Sequence, residues 1–242
     1  MSGDGQWQGI RMDAAAASHA IAGAGLVLLA FGNASAVDRE RGVFAIKPSG
    51  VPCGEVEPVQ MVVVGIEDGR ILDGDLRPSS DEPTHRLLYQ RLPEIGGVVH
   101  THSMHASAWA QAGRPVPCLG TTHADHFRGD VPVTRQLTDA EIADDYEWQT
   151  GLAIAELFGP DGLDPAAAPA VLVRSHGPFA WGETAAQAAH HAQAVETIAR
   201  MALLTLSIDP WAAPIGASLL RRHFDRKHGH TATYGQRPGG NP

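Results

Sequence analysis

Apolar runs punctuated by Gly, Pro and capping residues divide the chain into segments of two periods. Short runs at Val43–Ile46, Met61–Ile66, Gly97–His102 and Val171–Arg174 predict strands, and the apolar run Leu26–Phe31 predicts another, buried one. Asp68-Gly69, between Met61–Ile66 and Ile71-Leu72, predicts a hairpin, because Asp-Gly favours the positive-φ turn that matches strand twist. Helical spacing predicts helices from about Asp13 to Gly23 or Gly25, and over Pro83–Leu92, Met104–Gln111, Thr138–Phe158, Ala185–Leu206 and Ala217–Lys227. Thr138 and Glu141 form a capping box at one helix start, and Pro83 suits the first turn of another, where its missing N–H costs nothing. Strands and helices intermix without strict βαβ alternation, which predicts an α/β domain with a mixed sheet covered by helices.

The length of 242 residues fits one domain with a sizeable core, over 1–242 with frayed ends at about 1–10 and 235–242. Gly159–Pro169 is short enough for a surface loop, and no internal repeat is present. The Ala-rich run 14–32, followed by Ala34-Ser35-Ala36, imitates a secretory leader. Asp4 and Asp13 outweigh Arg11 ahead of it, however, and Ser18, His19 and several glycines interrupt it as a membrane span. A net charge of −9 argues against nucleic acid as a partner, since phosphate backbones need an excess of Lys and Arg. Cys53 and Cys118 match no C-x-x-C spacing and suit a reducing, cytoplasmic setting.

Among 13 histidines, the segment Val98-Val99-His100-Thr101-His102 is the most informative. Alternate residues of a strand share a face, so His100 and His102 can grip one ion at a strand's end. H-x-H is short and common, and polar surface is the competing reading. Asp81, in Pro78-Ser79-Ser80-Asp81, and His176, in the turn after Val171–Arg174, would complete a set of three imidazoles and one carboxylate. That set suits Zn²⁺ or another borderline divalent ion. Taken singly, Asp81 reads as an N-cap and His176 as a solvated turn residue. His85 reads as packing or surface, His190 and His191 as facing solvent or a partner, and His105 as having left the strand.

The chain resembles the class II aldolase/epimerase family, on its epimerase side. The matching stretches are Gly32–Asp38, Ile46–Gly50, Pro78–Asp81, Gly96–Gln111, Gly120–Asp125, Thr138–Gly151, Ser175–Gly182 and Lys227–Gly229, in order from about Leu26 to Gln236. The resemblance implies a three-layer αβα fold with a mixed, mainly antiparallel sheet, and a homotetramer with active sites between subunits. It implies Zn²⁺, with Mn²⁺ or Co²⁺ as alternatives, on Asp81, His100, His102 and His176. It also implies a sugar-phosphate site at Gly32, Asn33, Ser49, Gly50, Ser79 and Ser80, where Gly turns and Ser hydroxyls can surround phosphate oxygens. Lys47, one of only two lysines, is expected to contact the phosphate.

The reaction implied interconverts L-ribulose 5-phosphate and D-xylulose 5-phosphate. The C4 hydrogen is not adjacent to the carbonyl, so inversion at C4 needs cleavage of C3–C4 and rejoining on the other face. A Lewis acid would stabilise the enediolate, and two groups would move protons at the C4 oxygen. The resemblance assigns those groups to Asp125 and Tyr234, acting across a subunit boundary, with Glu147, His223 and Arg226 in support. Sugar-phosphate aldolases of the family carry a catalytic Glu where this chain has Asp81, which favours epimerase over aldolase. After Asp125 the chain reads His126-Phe127-Arg128, where close relatives have a more aromatic run. An adducin-like interaction module is the non-catalytic alternative, and a zinc hydrolase lacks its H-E-x-x-H.

Overall fold

The computed structural model describes residues 5–159, 162–229 and 232. Seven strands are present: β1 (Asn33–Asp38), β2 (Val43–Ile46), β3 (Val62–Gly65), β4 (Ile71–Asp73), β5 (Gly97–His100), β6 (Ala170–Leu172) and β7 (Pro178–Gly182). They form one sheet in the order β4-β3-β2-β1-β5-β7-β6. Neighbouring strands all pair antiparallel, and parallel pairing is confined to isolated bridges such as Val133–Leu172. The helices are α1 (Gln8–Gly23), α2 (Glu82–Arg91), α3 (Met104–Ala112), α4 (Thr121–Ala124), α5 (Asp139–Ala143), α6 (Tyr146–Ala155), α7 (Ala185–Ile208) and α8 (Ala217–His228).

Register decides which side chains meet which layer. Asn33 lies opposite His100 and Ser35 opposite Val98, while His100 lies opposite Phe179. Cross-strand partners share a face, so these residues point together towards α2. Ser35 Oγ bonds His85 and Tyr89 of that helix. α1 and α7 cover the other face, and α2 packs on α6. The inner stripe of α7 is largely alanine (Ala185, Ala188, Ala189, Ala192 and Ala199), which lets the helix lie close on the sheet. The result is the three-layer αβα arrangement.

The β3–β4 hairpin turns at Asp68-Gly69 with Gly69 at φ +70, as predicted. Other expectations need correction. Leu26–Phe31 is not a strand: Leu28, Leu29 and Phe31 are exposed, and the pairing strand begins at Asn33. Its sequence NASAVD is small and polar, so the apolar run beside it carries the stronger but misleading signal. Thr138–Phe158 is two helices. The chain breaks at Asp144 (ψ −137), and Asp145 caps α6 by accepting the Trp148 N–H at 3.3 Å. α1 starts at Gln8, within the end expected to fray, and β5 stops at His100 rather than His102. The strand Pro178–Gly182 was not anticipated. Cys53 and Cys118 are buried free thiols. No described helix is long and apolar enough to cross a membrane.

Candidate metal centre

The end of β5, the turn after β6 and the start of α2 meet at one edge of the central strands. The imidazoles of His100, His102 and His176 converge there, with ligating nitrogens all within 4.8 Å of one another. His100 Nδ1–H donates to the Pro178 carbonyl at 3.0 Å, which leaves Nε2 bare. That nitrogen lies 3.0 Å from His102 Nε2. Two ring nitrogens so close can share only one proton or one cation. Burial pushes the pKa of His100 well below the ordinary value, with His176 and His102 adding to it. Burial also lowers His102 and His176, opposed in both by the Asp81 carboxylate. Neutral imidazoles are the form that binds a metal.

Asp81 occupies the N-cap position of α2 but makes no side-chain capping bond. Its Oδ2 instead lies 4.0 Å from His100 Nε2 and accepts Asn33 Nδ2–H at 2.6 Å. Asn33 Nδ2 also donates to Ser79 Oγ at 3.0 Å, and its buried Oδ1 has no partner among the described residues. His176 follows Ser175, whose φ of 63 is rare outside glycine and asparagine. Three imidazoles and a carboxylate are a donor set that fits Zn²⁺ or a similar divalent ion.

Beside the histidines lies a cavity of about 410 Å³, lined in part by Gly32, Asn33, Lys47, Ser49, Gly50, Ser79, Ser80 and Asp81. The two Pro-Ser segments lie side by side: Ser49 N–H donates to Arg77 at 3.0 Å and Ser79 N–H to Lys47 at 2.9 Å. Gly32 adopts φ +85, and a Cβ there would lie 3.0 Å from the His100 carbonyl, so this turn needs glycine. Lys47, expected to contact the phosphate, lines this cavity and is already held by the chain's own carbonyls. It is buried, and Nζ donates to the carbonyls of Val51 (2.6 Å), Pro48 (3.0 Å) and Ala30 (3.4 Å). Its charge therefore holds the loop together, and burial lowers its pKa.

Residues 12–203 match the Class II Aldolase and Adducin N-terminal domain family. The chain belongs to that family. It is 52% identical over 213 residues to the L-ribulose-5-phosphate 4-epimerases UlaF of Salmonella paratyphi A and Salmonella typhi, covering 88% of this chain and 92% of each relative. Among solved structures, an L-fuculose 1-phosphate aldolase superposes with a TM-score of 0.75 at 22% identity, over 90% of this chain and 95% of that one. YgbL of Klebsiella pneumoniae, described as a putative aldolase/epimerase/decarboxylase, gives 0.72 at 24%, over 89% and 97%. These two show the fold of the class II aldolases.

Within this class II aldolase chain, Asp125 is not among the residues lining the metal-side cavity. It ends α4, and its carboxylate accepts Arg226 Nη2–H at 2.9 Å and His223 Nδ1–H at 3.0 Å, with Lys227 Nζ at 3.8 Å. Burial alone would raise its pKa, but those bonds and charges outweigh burial and lower it. Tyr234 lies outside the described residues.

Sequence reasoning missed Tyr146, whose hydroxyl lies 3.3 Å from His176 Nδ1 at the cavity wall. Its position next to Glu147, just inside a helix start, was the available signal. Glu147 also lines the cavity, and its carbonyl accepts Thr84 Oγ1–H at 2.5 Å, tying α6 to α2. Phe31, expected in the core, stacks on His102 at 5.8 Å. His191, expected to face outwards, is buried and donates Nδ1–H to the Trp181 carbonyl at 2.7 Å. His85 is packing, fully enclosed, with burial lowering its pKa to about 3.

Proposed function

We propose that the chain is a Zn²⁺-dependent epimerase that interconverts L-ribulose 5-phosphate and D-xylulose 5-phosphate. It would work as one domain over 1–242, in a cytoplasmic homotetramer. The observation that carries the reading is the His100/His102/His176 cluster with Asp81, beside a cavity of sugar-phosphate size, in a chain 52% identical to curated 4-epimerases.

Asp81, His100, His102 and His176 would hold the ion. When bound, a divalent ion supplies the Lewis acidity that offsets negative charge developing at the substrate's C2 and C3 oxygens. The Gly32-Asn33, Ser49-Gly50 and Ser79-Ser80 segments are positioned to receive the phosphate, with Lys47 bracing the loop from behind. Asn33 ties Ser79 to Asp81, so the phosphate cradle and the carboxylate are held in one arrangement.

A base takes the proton from the C4 hydroxyl, and the C3–C4 bond pair passes to the enediolate. The released aldehyde turns, the enediolate carbon attacks its opposite face, and an acid returns a proton to the C4 oxygen. Asp125 and Tyr234 are the proton-transfer pair in this reading, reaching the site of a neighbouring subunit. Arg226 and His223 hold the Asp125 carboxylate ionised and oriented for that role. Asp81, too short to act as the aldolase glutamate does, leaves the enediolate carbon unprotonated, so the fragments rejoin.

A coupled assay on zinc-loaded protein tests the proposal. D-Xylulose 5-phosphate should form well above a His100→Ala control. No product above that control, or stoichiometric release of a free ketone fragment, rejects it.

A further inference from the structure

On the α2 face of the sheet, behind the three histidines, lies a hydrogen-bond chain that the proposed reaction does not use. Ser35 Oγ sits 2.7 Å from His85 Nδ1 and 2.7 Å from the Tyr89 hydroxyl. All three residues are buried, and among the described residues His85 Nε2 has no hydrogen-bond partner. The His85 ring meets Phe179 at a steep angle, with centroids 6.0 Å apart and planes at 68°. Phe179 in turn stacks on His100, 4.2 Å between centroids with planes only 19° apart. His85 also donates its backbone N–H to the Asp81 carbonyl at 3.1 Å. The ring therefore stands one contact behind His100 and one helical turn from Asp81.

The direction of the chain follows from counting protons. With the proton on His85 Nδ1, the ring would donate to Ser35 and Ser35 to Tyr89. The phenol proton would then lack an acceptor, and so would the Nε2 lone pair lack a donor. With the opposite direction, Tyr89 donates to Ser35, Ser35 donates to Nδ1, and only the Nε2–H is unmatched. One unpaired buried group is less costly than two.

We propose that His85 is a positioning residue for the metal centre. The Tyr89–Ser35–His85 chain holds its ring as the Nε2–H tautomer, and the ring so held keeps Phe179 against His100. Among the described residues, the one hydrogen bond from the His100 ring to the backbone is Nδ1–H to the Pro178 carbonyl, and that bond alone does not fix the ring's rotation about it. A stacked ring on one face removes that rotation and directs the Nε2 lone pair at the ion. The inference rests on the reading of His100 as a metal ligand.

The test has a readout that does not involve metal and one that does. In metal-free protein labelled with ¹⁵N-histidine, long-range ¹H–¹⁵N correlation should show His85 as a single Nε2–H tautomer, and Ser35→Ala should mix the tautomers. In cobalt-substituted protein, Ser35→Ala and His85→Phe should shift the visible d–d bands and weaken zinc, measured by chelator competition, about 10-fold. Turnover should fall with the KM for the sugar phosphate nearly unchanged, and Ser35→Thr, which keeps the hydroxyl, should restore all three. An Nδ1–H tautomer in the wild type overturns the proposal. So does a Ser35→Ala protein with wild-type cobalt bands and zinc affinity and only a lower Tm, which marks a packing role. A wild type that takes up no cobalt removes the metal reading and this inference with it, while the tautomer signal distinguishes that failure from the others.

Discussion

Among the described residues, histidine rings gather in two places. Around His100, His102 and His176 the ring centroids are 4.9, 4.7 and 4.9 Å apart. Around His126, His190 and His191 they are 5.4, 6.5 and 6.0 Å apart. The spacings differ little, yet only the first group brings its nitrogens together. Its rings come from a strand end and a turn, one with Nδ1 engaged by a carbonyl, and a carboxylate stands beside them. In the second group His190 and His191 are successive residues of a helix, so they point about 100° apart. His191 has spent Nδ1 on the Trp181 carbonyl, and Lys227 adds positive charge near His126. Ring proximity alone does not make a ligand set. Converging lone pairs beside a carboxylate do, and the carboxylate near His126, Asp125, is taken up by Arg226 and His223.

Removing a ligand from the first group should have the largest effect. For His100→Ala we expect loss of bound zinc by metal analysis and a fall in turnover of at least about 10³-fold, roughly 4 kcal/mol of transition-state stabilisation. Asp125→Asn should separate chemistry from metal. It should leave zinc stoichiometry unchanged while lowering turnover about 10²–10⁴-fold, the usual worth of positioned proton transfer. Retained turnover would remove Asp125 from that role.

Acid should act on stability through buried histidines, two of them outside the metal centre. Burial lowers His123 and His126 to about 4 each. The unfolded chain takes up these protons near pH 6.5 and the folded chain does not, so stability falls as pH drops from about 6.5 towards 4. For enclosed His123 the slope is at most about 1.4 kcal/mol per pH unit, and solvent screening makes it smaller for half-buried His126. Urea unfolding across that range, wild type against His126→Phe, reads the His126 share, because the other buried histidines contribute equally to both proteins. The smallest effect belongs to His190→Ala. This exposed residue should change stability by less than about 0.5 kcal/mol and leave the cobalt bands unaltered.

Helix positions and the Asp68-Gly69 hairpin were legible because periodicity and turn chemistry are local properties. Val43–Ile46 matched its strand for the same reason. β1 was not legible: its six residues carry small side chains, and pairing with β2 and β5 is what makes it a strand. Leu26–Phe31 failed in the opposite sense, since Leu28, Leu29 and Phe31 remain exposed and only Leu26 is buried. In the site, the H-x-H pair and His176 announced themselves by residue type and spacing. Tyr146 did not, because its place at the cavity depends on α6 docking on α2.

By itself the sequence determined the chemical vocabulary: imidazole and carboxylate in place of thiolate, Gly-Asn and Pro-Ser turns, and a lysine at a strand end. Only the tertiary structure decided how each was used. Antiparallel register set Asn33 against His100, and the Asp81 carboxylate, which makes no capping bond to its helix, turned towards Asn33 and the imidazoles. Packing enclosed Lys47 among three carbonyls, and Asp125 met the basic residues of α8 about a hundred positions away. Residue type sets which bonds are possible, whereas long-range pairing sets which of them are made, and periodicity carries no record of that choice.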